Sequence, residues 1–462
     1  MSDAHAQARS LRAAGQTQAA IKVYRTHLAR LPSDRIAWHN LASALGDAGH
    51  HGDAVVACGK AFSLGLDAAE TWLILARSSQ AMGRFEEAEH AYEEALKRKG
   101  DDIPTLRDHA QLLWMRTGNA DKALSRFATA SKLHPNNLGV QLALSRVMGQ
   151  MGLKDEGFAL ALEIAKRAPA APAIQVATAN AANLSGDHVQ ALKFARAARA
   201  IDTHDKSAGL AEVQALLALG EPLKANVIIE QQCQLHPQDQ YVRAMQAIIW
   251  RLLGDARYDK LYDYHRLVRA YELIAPKGWR SVEQYVDEVR EALLERHQFH
   301  AHPFDQSVKG AGSQITHIER MADSPALSAW TEATLPSLRD YCLCDERTSH
   351  LVEEDDQTLV NRYKTWSIRL KRSGRHTDHV HPDGIISSAC HILAPEPLNQ
   401  GPHGWLRFGK PGVLTKPVLE AEYHHRPDEG VIVFFPSYIW HGVTPFEGDG
   451  TRLTIAMDIA QN

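Results

Sequence analysis

No stretch of these 462 residues is apolar for long enough to span a bilayer, which takes ~20 such residues in a row, so a membrane-crossing helix is not expected. Charge of one sign is not in excess either. The 51 Lys and Arg against 55 Asp and Glu give a formal net charge of −4, which makes no electrostatic case for nucleic acid or an anionic membrane. The opening Met-Ser-Asp-Ala-His-Ala-Gln lacks the basic and apolar parts of a secretory signal. Cysteine is scarce: Cys58, Cys233, Cys342, Cys344 and Cys390 are an odd, scattered set that suits reduced thiols better than a disulfide framework. Cys342-Leu-Cys344 has no second pair nearby to complete a soft-metal site. These absences together lead us to expect a soluble cytoplasmic protein.

What is present in the first half is repetition. Glycines fall at Gly15, Gly49, Gly83, Gly118, Gly152, Gly186, Gly220 and Gly254, at intervals of 34 residues and once 35. This is the tetratricopeptide period. Five residues after the glycine stands Ala20, Ala54, Ala88, Ala123, Ala191 or Ala225, a small side chain where the two helices of a hairpin approach closely; the fifth unit has Gly157 there. Nine residues after it stand Tyr24, Tyr92 and Phe127, fillers between neighbouring hairpins. Trp38/Leu41/Leu45 and Trp72/Leu75 recur at helical spacing ahead of it, and Pro32, Pro135, Pro169 and Pro237 fall where second helices should stop. About eight such units fill residues 1–255, and their stacking predicts a concave surface suited to a peptide or protein partner.

The pattern stays helical but loses its period from Tyr258 to Gln298, where Val282–Leu294 is an amphipathic helix. Residues 256–300 are therefore expected to be a helical cap or linker. His297, His300 and His302 lie in this boundary stretch, with nothing in register to complete a metal site. From 301 to 462 the texture changes to short alternating segments between turn signals: Trp366–Lys371, Ser387–Leu393, Gly404–Phe408, Val431–Phe435 and Leu453–Ile459. They predict antiparallel strands in a sandwich or barrel. One bracing helix is expected from Pro325, after a Ser324 cap, to Leu335, where Pro336 should stop or kink it.

Chemistry concentrates at Arg375-His-Thr-Asp-His-Val-His-Pro-Asp383, in which His376, Asp378, His379, His381 and Asp383 crowd into eight residues. Two ligands at i and i+2 on an extended segment share a face, so such a pair can hold adjacent corners of a metal while a distant residue supplies the third. His441, ending Phe434-Phe-Pro-Ser-Tyr-Ile-Trp-His, is that distant residue. Three pairs compete: His376/Asp378, His379/His381 and His381/Asp383. In Arg452-Leu-Thr-Ile-Ala-Met457, alternation puts Arg452 and Thr454 on one face, a fork and a hydroxyl suited to a carboxylate.

The His-x-His-Pro run, the Ser387-Ser388 strand, Gly404-Trp-Leu-Arg-Phe-Gly409, the Phe-Pro-Ser-Tyr-x-Trp-His motif and the Arg-x-Thr strand together resemble bacterial 2-oxoglutarate/Fe(II)-dependent dioxygenases fused to tetratricopeptide repeats. The match runs from about Tyr363 to Ala460, with a weaker echo at His302–Ser307. The resemblance implies a double-stranded β-helix, or jelly roll, after an all-α repeat array. It implies Fe(II) on His379, His381 and His441, with Asp383 or Asp378 as the alternative third ligand. It further implies 2-oxoglutarate anchored by Arg452 and Thr454, contact of His391 with that cosubstrate, O₂ as oxidant, and hydroxylation of a peptide or protein. Three histidines depart from the two-histidine, one-carboxylate triad of the superfamily. An interaction scaffold with a non-catalytic or cupin-like metal-binding barrel is the alternative.

Overall fold

The computed structural model describes the chain except for residues 1–2, 305–306, 310–311, 319–320, 322–323, 372–373, 395–401, 446–449 and 462. Two compact units emerge, one of residues 1–114 and 119–147, the other of 115–118 and 148–462.

The first unit is built of helical hairpins such as Arg35–Asp47 with His51–Ser63 and Ala69–Ala81 with Phe85–Arg98. Each hairpin turns at a periodic glycine: Gly15, Gly49 and Gly83 have φ of 74°, 79° and 74°, a left-handed conformation that only glycine adopts without strain. Ala20, Ala54 and Ala88 are fully buried where the paired helices meet, and Tyr24, Tyr92 and Phe127 are buried as expected of fillers. The same grammar opens the second unit, in helices Lys154–Arg167 through Gln240–Leu253. Asp205 and Asp239 cap their helices by accepting from Ala208 N at 2.6 Å and Val242 N at 3.0 Å.

The strands of the second unit are β1 (Arg269–Glu272), β2 (Val308–Lys309), β3 (Gly312–Thr316), β4 (Tyr363–Leu370), β5 (Arg375–His376), β6 (Gly384–Leu393), β7 (Leu406–Phe408), β8 (Tyr423–His425), β9 (Val431–Pro436), β10 (His441–Val443) and β11 (Arg452–Ala460). They form an antiparallel six-stranded sheet ordered β1-β9-β6-β11-β4-β3, a three-stranded sheet β10-β7-β8 and a pair β2-β5. Alternation sorts the faces of the large sheet. Ile432, Phe434, Leu453, Ile455, Met457 and Ile459 share a core with Tyr285, Val289, Trp330 and Tyr341 of the bracing helices. Val433 and Phe435 on the opposite face join Leu406, Phe408 and Val443 of the small sheet.

Two expectations need correction. The stretch read as continuously helical contains β1, which pairs along the edge of the large sheet from Arg269↔Phe434 to Glu272↔Val431; four residues are too few for periodicity to separate a strand from a helix. The bracing helix does not end at Leu335. Ser324 caps a short helix Pro325–Ser328 as expected, but a second helix then runs Trp330–Cys342 with Pro336 inside it. Pro336 forfeits one backbone hydrogen bond, and burial of Trp330, Leu338 and Tyr341 outweighs that loss.

Candidate metal centre

His379 and His441 face each other because their backbones pair: His379 N donates to His441 O at 2.9 Å, and His441 N donates to His379 O at 3.0 Å. Directly opposed residues of an antiparallel pair project side chains to the same face, and here the ring centroids stand 4.3 Å apart. His381, two residues on, returns to that face, with its ring 4.9 Å from His379 and 5.0 Å from His441. One ring nitrogen from each of the three lies within 4.8 Å of the others.

The outer nitrogen of every ring meets an acceptor. His379 Nδ1 lies 2.8 Å from Thr377 O, His441 Nδ1 2.9 Å from Ile439 O, and His381 Nδ1 2.7 Å from both oxygens of Asp458. A carbonyl can only accept, so Nδ1 carries the proton in His379 and His441, and Nε2 turns a lone pair inward. Burial, aided by the neighbouring His381, pushes His379 down to about 3, and burial also holds His441 well below the usual imidazole range, so both are neutral at pH 7. His379 Nε2 and His381 Nε2 are 3.0 Å apart. Two nitrogens each ~2.1 Å from one metal and at roughly right angles to each other lie ~3.0 Å apart. The donor set therefore fits a divalent cation on one face with other positions open.

The aspartates go elsewhere. Asp378 forms a bidentate pair with Arg407, Nε to Oδ1 at 2.8 Å and Nη2 to Oδ2 at 2.7 Å. Burial raises its carboxyl above the usual range even against that guanidinium. The loop holding Asp378 packs where a side chain at Gly442 would lie 2.6 Å from Oδ1, so glycine is required there. Asp383 is exposed on the turn before β6, its carbonyl accepting from Gln461 N at 3.0 Å. Neither joins the three imidazoles among the described residues. His376 packs edge-on to His379 at 5.0 Å without contributing a nitrogen to the cluster.

Arg452 is 2 % exposed, and no carboxylate pairs with it among the described residues. Its Nη2 donates to His391 Nε2 at 2.9 Å, while Arg452 Nε, Thr454 Oγ1 and His391 Nδ1 are buried with no partner among those residues. Burial lowers the guanidinium to about 10. An uncompensated buried cation is costly, and three idle polar atoms beside it fit the carboxylate of a ligand. Thr454↔His391 and Asp458↔Ser387 are register pairs of β11 and β6, so Arg452, Thr454, His391 and the support of His381 share one sheet face.

The motifs did not mark Asp458, and they contained Ser387 and Ser307 without giving them a role; Ser387 Oγ donates to Asp458, and Ser307 Oγ lies 3.2 Å from His379 Nε2. Asp458 was findable by counting in twos from Arg452. The pairing of Asp378 with Arg407 joins positions 29 residues apart and leaves no sequence signal. His297 is a core residue, between Ser313 Oγ at 2.9 Å and Ser367 Oγ at 3.0 Å. In the first unit His5, His27 and Asp34 also cluster. There Asp34 Oδ2 accepts from both rings at 3.0 and 2.8 Å and Oδ1 caps Ile36 N and Ala37 N, a set already closed by hydrogen bonds.

Residues 364–458 match a family model described as "Putative 2OG-Fe(II) oxygenase", and residues 3–63 and 69–102 match tetratricopeptide repeat models. No curated protein matches the chain. Among solved structures, a tetratricopeptide repeat protein from Parabacteroides merdae is 13% identical with a TM-score of 0.39, covering 54% of this chain and 97% of its own. Yeast Tom70 is 17% identical with a TM-score of 0.41, covering 62% of this chain and 60% of its own. YrrB, described as a TPR protein with an unusual peptide-binding site, is 17% identical with a TM-score of 0.28, covering 41% and 97%.

Proposed function

We propose that this chain, with tetratricopeptide repeats at its N-terminus and a 2-oxoglutarate/Fe(II) oxygenase-type domain at its C-terminus, is a dioxygenase that hydroxylates a peptide or protein held by the repeats. In this reading the sheet-rich domain is a jelly roll, its large sheet and its smaller strands enclosing the site between them. The observation that carries the proposal is the joint presence of three inward-turned imidazoles and, on the sheet face whose Asp458 meets His381, a buried guanidinium without a carboxylate partner among the described residues.

His379, His381 and His441 would hold Fe(II), with Asp378 and Asp383 set aside by where their side chains lie. Arg452 would bind the far carboxylate of 2-oxoglutarate through its free Nε, with Thr454 donating beside it and His391 orienting the fork by accepting from Nη2. Bound iron supplies the activation of O₂ that couples decarboxylation of 2-oxoglutarate to oxidation of a substrate. The protein excludes water with Phe408 and Phe435, buried against His441, and keeps each ligand tautomer fixed from outside.

The repeats favour a macromolecular substrate, because stacked hairpins create an extended concave surface and remote contacts can contribute to turnover at a distant carbon. An all-imidazole donor set favours a second reading, a metal-binding barrel without oxygenase chemistry beside an interaction scaffold. Anaerobic Fe(II) titration followed by a succinate assay separates the two: iron binding with 2-oxoglutarate turnover supports the dioxygenase, and iron binding without it supports the second. No helix among the described residues is long and apolar enough to cross a membrane, and we place the protein in the cytoplasm.

A further inference from the structure

The common triad places one negative charge directly on the metal. Here the three inward groups are imidazoles, and the carboxylate stands one ring further out. Asp458 lies with both oxygens 2.7 Å from His381 Nδ1. The two side chains are 10 % and 12 % exposed, so water screens their interaction little. Ser387 Oγ donates to Asp458 Oδ1 at 2.7 Å and lies 2.8 Å from Ser437 Oγ, while His381 N donates to Ser437 O at 3.0 Å. The chain is thus Ser437–Ser387–Asp458–His381, closing back on the backbone of His381. It also leaves no room for a side chain at Gly384, whose Cβ would stand 2.5 Å from Ser437 Oγ and 3.4 Å from Asp458 Cγ. Trp366 packs on the His381 ring at 5.4 Å and restricts its rotation.

We propose that Asp458 is a positioning residue that both fixes His381 toward the metal and supplies, through the imidazole, the negative charge that the common triad carries as a direct carboxylate ligand. This rests on His379, His381 and His441 being the ligands. A carboxylate accepting from Nδ1–H draws the proton outward and makes Nε2 a stronger donor, so the loss of a first-sphere carboxylate is partly offset without changing the ligand count. Asp378 cannot take this part, since its charge is met by Arg407.

The test uses the full-length chain and Asp458→Asn, which keeps an oxygen for His381 Nδ1 and removes only the charge. Anaerobic titration with Co(II) is expected to show affinity ~10- to 100-fold weaker than wild type, with the melting temperature of the metal-free protein unchanged. The Fe(III)/Fe(II) potential of the iron-loaded variant is expected to rise, because a negative charge near the metal favours the ferric state; Asp458→Glu should restore both values toward wild type. If wild type itself binds no Co(II), the ligand assignment fails. If wild type binds and Asp458→Asn matches it in affinity and potential, the ligands stand and the role of Asp458 falls. Weaker affinity with an unmoved potential would leave Asp458 a structural prop and overturn the charge proposal.

Discussion

Of the three proposed ligands, His441 is the one that the other two cannot replace, because His379 and His381 come from one short segment and His441 alone comes from the facing strand. His441→Ala should abolish stoichiometric Fe(II) binding, measured anaerobically; iron retained at one per chain would refute its place in the site. For Arg452, lysine keeps the charge and loses the fork. Arg452→Lys is expected to raise the 2-oxoglutarate KM by about tenfold, or ~1.4 kcal/mol, and an unchanged KM would move the anchor away. Arg407 is a poor substitute, being engaged by Asp378 at 2.7 Å. His297 supplies a pH prediction. Burial depresses it to about 3 from an ordinary value of 6.5, so the unfolded chain binds a proton that the folded chain refuses. Its stabilising contribution is complete above pH 6.5 and is lost as pH falls toward 3, at ~1.4 kcal/mol per pH unit within that window. His297→Gln should flatten that limb of the stability curve in denaturant melts, and an identical slope would show that other groups set it. At this scale spacing put His379 and His381 on one face and Arg452 and Thr454 on another, and the resemblance joined these pairs with His441. It left three ligand pairs open, since the choice depends on where the Asp378 side chain turns, and that is decided by Arg407 on a strand far along the chain.

Elements were legible where they repeat or alternate. The 34-residue glycine period located each hairpin, and Leu453/Ile455 against Arg452/Thr454 gave the two faces of β11. β1 was missed because Arg-Ala-Tyr-Glu is short and becomes a strand only by pairing with β9. Trp440 shows how such long-range packing reaches the site. Its Nε1 donates to Ala244 O at 3.3 Å, its ring meets Tyr241 at 5.9 Å, and its backbone N donates to Tyr262 Oη at 3.4 Å. Trp440→Ala should destabilise the second unit by ~3–5 kcal/mol and, by loosening the residue before His441, weaken metal binding as well. Chemical denaturation paired with Co(II) titration checks both; a loss of stability at full metal affinity would mean that β10 holds His441 unaided.

At the scale of the molecule, the division expected at residue 255 does not coincide with how the chain packs. Val242, Met245, Ile248 and Ile249 of the helix Gln240–Leu253 lie in one core with Phe408, Phe435, Ile439 and Trp440. Arg251 adds hydrogen bonds to Gly409 O at 2.8 Å and Glu420 O at 2.9 Å. The sequence could mark the end of a period but not this shared core, because a repeat helix and a capping helix carry the same apolar stripe. A chain cut after Gly254 should therefore fail to give a cooperative melt, whereas one lacking residues 1–102 should keep its melting transition and its metal. If the repeats deliver substrate, the shorter cut should also preserve slow 2-oxoglutarate consumption while stimulation by substrate falls. That iron and 2-oxoglutarate meet in this sheet-rich domain is tested by following succinate formed and 2-oxoglutarate remaining after Fe(II), 2-oxoglutarate and O₂ are added to the full chain. Succinate is expected in equal amount to the 2-oxoglutarate consumed, and none from His441→Ala; a chain that binds one Fe(II) tightly yet yields no succinate under these conditions would overturn the dioxygenase reading.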